Sequence, residues 1–237
     1  MTENEIRAHQ QKLKDAGFDP GPIDGLWGRK TEDATRRWQE STKEKLPSDT
    51  GRDVISLEGA QVTASDALHP ALSSQEREST FGGPFDWVHR PTSDNRENIE
   101  IRGGWEGDNI VSVDMPALAK ASNGRYTRMR WNKRASKQLE NLWNAWDAAG
   151  LLPLIKTYEG AYVPRLIRGS TRSLSNHAYG TAFDINYEWN QLGKVPARPG
   201  STGSVWELVP LAHEHGFFWG GFFSRGDGMH FEVCKIL

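Results

Sequence analysis

The ten residues from Ser175 to Asp184 constrain the fold of this chain more than any other segment. They read Ser-Asn-His-Ala-Tyr-Gly-Thr-Ala-Phe-Asp, with an imidazole at His177 and a carboxylate at Asp184. Alternate residues of a strand face opposite sides, so this odd spacing would place the two side chains on opposite faces of a continuous strand. Both reach one site only if the backbone bends between them, and Gly180 permits such a bend. The sequence therefore predicts a turn at residues 178–180, with Asp184 on the strand that follows.

A second pair of candidate residues lies near the C-terminus, in the segment Asp227-Gly228-Met229-His230-Phe231-Glu232. With His177 and Asp184, His230 completes a set of two imidazoles and one carboxylate. This set suits a catalytic Zn²⁺, because three protein ligands leave the fourth position for water. Asp227 would then act as general base on that water. Glu232 is a candidate hydrogen-bond partner of a metal-bound imidazole.

The spacing of these residues resembles a known signature, Ser-x-His-x-x-Gly-x-Ala-x-Asp followed by a distal Asp-x-x-His. It is the signature of the D-alanyl-D-alanine carboxypeptidase-type zinc metallopeptidases, which cleave peptidoglycan stem peptides. The resemblance covers roughly residues 81–237. It implies that His177, Asp184 and His230 bind zinc and that Asp227 is the catalytic acid or base.

The same resemblance implies an arginine that stabilises the oxyanion formed when water attacks the scissile carbonyl. A fixed positive charge aimed at developing negative charge is among the largest catalytic effects. Arg165 is the first candidate, and Arg168 is a close competitor for the same role. Ser175 is expected either to bind substrate or to brace the loop that carries His177. His213 and His215 form no His-Glu-x-x-His motif, and we interpret them as structural.

The N-terminal residues carry a second resemblance, to the small helical peptidoglycan-binding module. The pattern of that module includes a Gln-x-x-Leu helix, then Gly, then Ile-Asp-Gly-x-x-Gly-x-x-Thr. The matching residues here are Gln10, Leu13, Gly17, Ile23, Asp24, Gly25, Gly28, Thr31, Ala34 and Gln39. The resemblance implies that residues 1–42 form an all-helical module that binds peptidoglycan. A helical hairpin that only packs on the main domain is the alternative.

Between the two resemblances, residues 43–80 are rich in Ser, Thr, Asp and Glu and poor in aromatic residues. This composition favours a linker, with partial order as an option. Aromatic density rises from Phe81, which predicts that the metallopeptidase domain spans residues 81–237. Within it, helical spacing predicts one buried helix that ends near Gly150. The residues of its apolar stripe are Trp131, Ala135, Leu139, Leu142, Trp143 and Trp146.

Helices and strands interleave in residues 81–237 without the long regularity of a doubly wound sheet. The predicted fold class is therefore α+β, with a small antiparallel sheet flanked by helices and a separate all-helical N-terminal module. The single Cys234 excludes an internal disulfide framework. We interpret Cys234 as a small apolar residue on a terminal strand.

The charge and hydropathy of the chain indicate which classes of partner it is expected to bind. The net charge of −2 gives no bias toward polyanions. Seven Lys and Arg residues lie between Lys120 and Lys137, and a solvated helix face explains them better than a nucleic-acid site. The sequence contains no run of about 18 apolar residues, so we expect no membrane span.

The acidic start Met1–Glu5 does not resemble a signal peptide. We therefore expect synthesis in the cytoplasm and action on the wall after release or delivery, as for a phage lysin or an injected effector.

These observations predict a zinc-dependent peptidase that acts on peptidoglycan stem peptides or cross-links, endolysin-like or D,D-carboxypeptidase-like. One alternative is a non-catalytic, zinc-containing protein that binds the cell wall. Another is a cytoplasmic dipeptidase that acts on free D-Ala-D-Ala. The sequence leaves open which peptide bond is cleaved and which oligomeric state the chain adopts.

Overall fold

The computed structural model of the 237-residue chain describes residues 3–28, 30–31, 34–35, 54–57, 60–63 and 69–237. The chain divides into two compact units, residues 1–64 and residues 65–237. Gln39 lies outside the described residues, as do residues 43–53, 58–59 and 64–68 of the segment predicted as a linker. In the part of the chain that is described, no helix is long and apolar enough to cross a membrane.

The first unit contains the helix Glu3–Asp15, further helical residues at 30–31 and 34–35, and a hairpin of two antiparallel strands. These strands are β1, Val54–Leu57, and β2, Ala60–Thr63. The helix buries Ile6 and Leu13. Gly17 follows the helix with a φ of 86°. Glycine adopts this left-handed conformation without steric cost, so Gly17 can end the helix here.

The side chain of Gln10 connects this helix to the turn that follows it. Gln10 is 1% exposed, and its amide nitrogen donates to Asp24 Oδ1, the Leu26 carbonyl and Thr31 Oγ1 at 2.9–3.1 Å. Its amide oxygen accepts from the backbone N–H of Gly25 at 2.9 Å. A buried amide is stable only when such partners are present. Several residues of the N-terminal motif are therefore held together as the hydrogen-bond partners of one buried glutamine.

The described residues of the second unit, 69–237, form five α-helices and eight strands. The helices are Ser74–Phe81, Trp105–Asn109, Pro116–Ala121, Ser136–Ala148 and Val209–Glu214. The strands are β3 (Trp87–His89), β4 (Ile99–Ile101), β5 (Ile110–Asp114), β6 (Arg128–Asn132), β7 (Tyr158–Gly160), β8 (Ala182–Ile185), β9 (Phe217–Trp219) and β10 (His230–Val233). Short 3₁₀ turns connect several of them, and all strand pairs are antiparallel. The α+β class is confirmed.

The central sheet has the strand order β7-β8-β10-β9. The helix Ser136–Ala148 covers one face, where Trp146 makes edge contacts with Phe183 and Phe231. These three side chains are fully buried. Aromatic packing of this kind contributes both buried apolar area and favourable ring geometry. It fixes β8 and β10, the two strands that carry candidate site residues, against a rigid helix.

The apolar stripe is buried as predicted, but its secondary structure differs from the prediction. Trp131 lies on β6 and Ala135 in the 3₁₀ turn Lys133–Ala135, and the α-helix begins only at Ser136. The side chain of Asn132 accepts a hydrogen bond from the N–H of Arg134, which favours the turn over a continuous helix. Helical spacing in a short aromatic run was therefore a poor guide to where the helix starts.

The last residues of the predicted linker form the helix Ser74–Phe81. Ser73 and Glu76 make a reciprocal capping box, and Phe81 at the other end is completely buried. Such a cap satisfies two backbone donors that a helix start would leave unpaired. This helix therefore belongs to the compact unit of residues 65–237, although its composition resembles that of a linker.

Several positive charges of the basic segment between Lys120 and Lys137 are paired with acidic side chains. Its ion pairs are Lys120–Asp147, Arg128–Asp114, Arg130–Glu106 and Lys137–Glu140, at 2.5–2.9 Å. The paired side chains are largely exposed, and pairs of this kind contribute little to stability. This pairing and exposure agree with a solvated surface. The segment is not the helix face expected from the sequence, because most of its basic residues lie on β6, in the 3₁₀ turn that follows or in the loop before them.

Candidate metal centre

His177 lies on a 3₁₀ turn, Asn176–Tyr179, that leads into β8. Ser175 precedes this turn and is 5% exposed, and its Oγ accepts from the backbone N–H of His177 at 3.3 Å. Gly180 follows with a φ of 64° and redirects the chain into the strand. The bend that the spacing of His177 and Asp184 requires is confirmed, and Ser175 braces it.

The position of Gly180 is also restricted by its neighbours. A Cβ atom there would lie 2.7 Å from Ile110 Cδ1 and 3.0 Å from the backbone nitrogen of Asn132. The same Asn132 nitrogen donates to the Gly180 carbonyl at 2.8 Å. The turn thus packs directly on the β5–β6 hairpin, and both the space and the backbone conformation favour glycine.

The structure brings His177, Asp184 and His230 together around one point. His177 Nε2 lies 3.2 Å from Asp184 Oδ1 and 3.1 Å from His230 Nδ1, and Asp184 Oδ1 lies 2.9 Å from His230 Nδ1. A tetrahedral zinc ion with bonds of about 2.0–2.1 Å separates its ligand atoms by roughly 3.3 Å. Among the described residues, this is the one group of three or more His, Cys, Asp or Glu side chains arranged to hold a metal.

The remaining nitrogens of both imidazoles have acceptors that fix the ring protons. His177 Nδ1 lies 2.6 Å from the carbonyl of Ala161, which can only accept a hydrogen bond. His230 Nε2 lies 2.9 Å from the Glu232 carboxylate. In the neutral rings, both protons therefore point away from the centre. Two nitrogen lone pairs and the Asp184 carboxylate then face each other, and this arrangement requires a positive charge between them.

Within the protein itself, a proton on His230 supplies that positive charge. Burial lowers the pKa of His230, but hydrogen bonds to Asp184 and Glu232 outweigh it and raise the pKa to about 10. Burial likewise raises the pKa of Asp184, but the charges and hydrogen bonds of His177 and His230 hold it well below its usual range. A divalent cation would replace the proton of His230 and pair with the same carboxylate.

Asp227 lies in the glycine-rich turn before β10, and its backbone carbonyl accepts from the N–H of His230 at 3.1 Å. Its Oδ1 is buried and has no hydrogen-bond partner among the described residues. Burial raises the pKa of Asp227, while the charges of His230 and His177 act in the opposite direction. A buried carboxylate without a full set of donors is well suited to accept a proton.

The two candidate arginines have different surroundings. Burial lowers the pKa of the Arg165 guanidinium, and the nearby charges of Asp184 and Asp227 raise it. Arg168 instead points to the surface, where it donates to Asn95 and Glu97 at 3.1 and 2.6 Å. Of the two arginines, Arg165 is the one whose pKa is affected by the charges of Asp184 and Asp227. These charges favour Arg165 over Arg168 for the oxyanion role.

The two other C-terminal histidines lie apart from this group. His213 packs against Phe218 and Phe222, with ring centroids 6.5 and 5.7 Å away. His215 Nδ1 lies 2.8 Å from the carbonyl of Leu211, one helical turn earlier. These contacts agree with the structural roles expected from the sequence.

Two functional candidates were not identified from the sequence. The amide of Asn176 donates to the Glu232 carboxylate that holds His230, and Arg77 donates to Asn176 at 3.2 Å. Asn176 occupies the variable position of the Ser-x-His pattern. Arg77 lies in the segment interpreted as a linker, and the polar composition of that segment gave no reason to assign Arg77 to an ordered helix. The Ser73–Glu76 capping box was the available signal of an ordered helix there.

Comparison with protein families agrees with this geometry. Residues 168–233 match the family model described as D-alanyl-D-alanine carboxypeptidase. The matched segment is similar to the peptidases of that family. It contains His177, Asp184, Asp227 and His230, whereas Arg165 lies just before it.

The N-terminal unit has a match of its own. Residues 2–51 match the family model of a peptidoglycan binding domain. No curated protein and no solved structure matches the chain. The two family matches together indicate a peptidase region joined to a region that binds peptidoglycan, and they suggest action on the cell wall.

Proposed function

We propose that the protein is a zinc-dependent peptidase that hydrolyses peptide bonds in the stem peptides or cross-links of peptidoglycan. One observation carries the zinc assignment. His177 Nε2, His230 Nδ1 and Asp184 Oδ1 converge within 3.2 Å, while the other nitrogen of each imidazole is engaged by an acceptor. Two imidazoles and a carboxylate form a set that zinc enzymes use with an open fourth position.

Zinc at this centre would act as a Lewis acid on the scissile carbonyl and on water. Asp227 would accept the proton of the attacking water and deliver it to the leaving amine. Its raised pKa supports this role, as does its buried Oδ1, which has no hydrogen-bond partner among the described residues. Arg165 would place a fixed positive charge against the negative charge that develops on the carbonyl oxygen.

The other candidate residues would support this chemistry rather than perform it. Ser175 would hold the His177 turn through its hydrogen bond to the backbone. Glu232 would orient His230. Arg168, paired with Glu97, would serve the surface or the substrate-binding edge rather than the oxyanion.

The N-terminal unit would hold the enzyme on its insoluble substrate. Linking a binding module to a catalytic one raises the effective substrate concentration without adding catalytic contacts. Action on the wall after release or delivery, as for a phage lysin or an injected effector, fits this arrangement. The family match at residues 2–51 supports the wall-binding part of the proposal.

The decisive experiment is mass spectrometry of the soluble products after incubating zinc-loaded protein with purified sacculi. A chelator-treated sample and the same sample with zinc restored serve as controls. We expect peptide release that the chelator abolishes and zinc restores, and the new termini would identify the cleaved bond. Binding to sacculi without release would favour a non-catalytic wall-binding protein. Cleavage of free D-Ala-D-Ala but not of sacculi would favour a dipeptidase.

A further inference from the structure

Arg77 is an unusual residue for a surface helix. It lies on the helix Ser74–Phe81, yet only 5% of it is exposed. Its guanidinium donates to Asn176 Oδ1 at 3.2 Å and lies 4.9 Å from the ring centre of Tyr179. Both contacts are to the 3₁₀ turn that carries His177. A buried guanidinium loses hydration, so such a residue needs compensating contacts of this kind.

The side chain of Asn176 links Arg77 to the metal centre through hydrogen bonds. An arginine can only donate and a carboxylate accepts, so the amide must present its oxygen to Arg77 and its nitrogen to Glu232. The nitrogen of Asn176 does donate to Glu232 Oε2. That same oxygen lies 2.9 Å from His230 Nε2. A continuous chain of hydrogen bonds therefore runs from Arg77 to an imidazole of the centre.

Glu232 is the member of this chain that most needs support. It is 2% exposed, on β10, and its Oε2 has two donors, Asn176 Nδ2 and His230 Nε2. If Asn176 turned away, the carboxylate would lose one donor and could reorient, and the ring of His230 with it. The positive charge of Arg77 holds the amide oxygen and polarises the N–H toward Glu232, because hydrogen bonds in a chain strengthen one another.

We propose that Arg77 is a positioning residue of the metal centre, acting through Asn176 and Glu232 on His230. The proposal rests on the zinc site proposed above. It assigns a role to a helix that precedes the matched segment 168–233. The helix Ser74–Phe81 would thus be part of the catalytic unit, and its loss would weaken metal binding even though every ligand remains.

The test compares zinc dissociation constants, measured by competition with a chromogenic chelator, for the wild type, Arg77→Met, Arg77→Lys and Asn176→Ala. Substitution of residues that orient a metal ligand typically weakens metal affinity 10–100-fold. We expect a loss of about this size for Arg77→Met and Asn176→Ala. Arg77→Lys keeps a cationic donor and should recover most of the loss. The visible absorption of Co²⁺-loaded Arg77→Met should also change, because the ligand geometry changes.

Arg134→Met is the matched control. Arg134 NH1 donates to the carbonyl of Thr80, so this guanidinium anchors the C-terminal end of the same helix. Among the described residues, the hydrogen bonds of the Asn176 side chain are to Arg77 and Glu232, not to Arg134. We expect the zinc affinity of Arg134→Met to equal that of the wild type. An equal loss in Arg134→Met and Arg77→Met would overturn the proposal, since general loosening of the helix would then explain both.

The two proposals fail in different ways. If the wild type binds no zinc, the proposed function is wrong and the role of Arg77 with it. If the wild type binds zinc and the affinities of Arg77→Met and Asn176→Ala are unchanged, only the role of Arg77 is wrong. Asn176→Ala keeps the test decisive if Arg77→Met fails to fold, because Asn176 is the obligatory link of the chain.

Discussion

Asp184 on β8 lies directly opposite His230 on β10, and its Oδ1 is 2.9 Å from the Nδ1 of that imidazole. The relative position of these two candidate ligands is therefore set by the ladder of a central antiparallel pair. Sites built on strands are more precise than sites built on loops. The third candidate, His177, depends instead on the turn before β8. The centre thus has one rigid edge and one edge that relies on local backbone conformation.

Gly180→Ala tests that dependence on the turn. A left-handed φ costs a non-glycine residue about 1 kcal/mol, and the close approach to Ile110 and Asn132 adds roughly 1–3 kcal/mol. We expect the free energy of unfolding to fall by about 2–4 kcal/mol and zinc affinity to fall with it. Urea unfolding and chelator competition measure the two effects.

Gly124→Ala is the control that measures the cost of the left-handed backbone conformation without the cost of close packing. Gly124 also has a positive φ, of 81°, but no atom lies within 4 Å of the Cβ that alanine would add. Its cost should stay near 1 kcal/mol, with zinc affinity unchanged. Equal destabilisation by the two substitutions would show that the packing of Gly180 on the β5–β6 hairpin is not tight.

The affinity for zinc should depend on pH in a specific way. The pKa of His230 is about 10 because its hydrogen bonds to Asp184 and Glu232 outweigh burial, so this imidazole holds a proton at neutral pH. Zinc needs the neutral ring, and binding therefore releases the proton. Affinity should fall about tenfold for each pH unit between about pH 8 and about pH 6.5. Isothermal titration in buffers of different ionisation enthalpy would count the proton, and a pH-independent affinity would contradict the raised pKa.

Asp227→Asn separates metal binding from proton transfer. The substitution preserves shape but removes the group that accepts the proton, and general acid–base catalysis typically contributes 10²–10⁴-fold. We expect kcat to fall by about this factor while zinc content stays at the wild-type level. Metal analysis and product release from sacculi check both parts. Activity near that of the wild type would remove Asp227 from the mechanism.

Much of the centre could be predicted from the sequence, because its geometry follows from local rules. The spacing of His177 and Asp184 required a bend, and Gly180 could be identified as the residue that permits it. The hydrogen bond that Ser175 Oγ accepts from the backbone N–H of His177 also follows from the position of Ser175 before a short helical turn. Each of these relations acts over fewer than about ten residues, the range over which sequence patterns specify conformation.

Contacts between distant segments could not be predicted in this way. Arg77 and Asn176 are far apart in the sequence, and nothing in either segment specifies that the helix Ser74–Phe81 packs beside the His177 turn. The choice between Arg165 and Arg168 likewise depended on which guanidinium interacts with the charges of Asp184 and Asp227. Trp131 was assigned to a helix because an aromatic run fits helical spacing, whereas pairing with β5 made it part of a strand.

The N-terminal unit provides a prediction that is independent of the metal. Gln10→Ala would remove the donor to Asp24, Leu26 and Thr31 and the acceptor for the N–H of Gly25. Buried polar groups left without partners cost about 1–3 kcal/mol each, which is a large part of the stability of a small module. We expect the variant to lose most of its sedimentation with purified sacculi while zinc affinity stays at the wild-type level.

Gln11→Ala is the matched control, because Gln11 is the exposed neighbour on the same helix. Among the described residues, its side chain bonds only to Asp15 of that helix. It should sediment with sacculi as the wild type does. If Gln10→Ala also binds normally and its helix content is unchanged, the buried amide is not what holds the motif together. If it unfolds the module yet sacculus binding persists, wall attachment lies in residues 65–237, and the role proposed for the N-terminal unit is wrong.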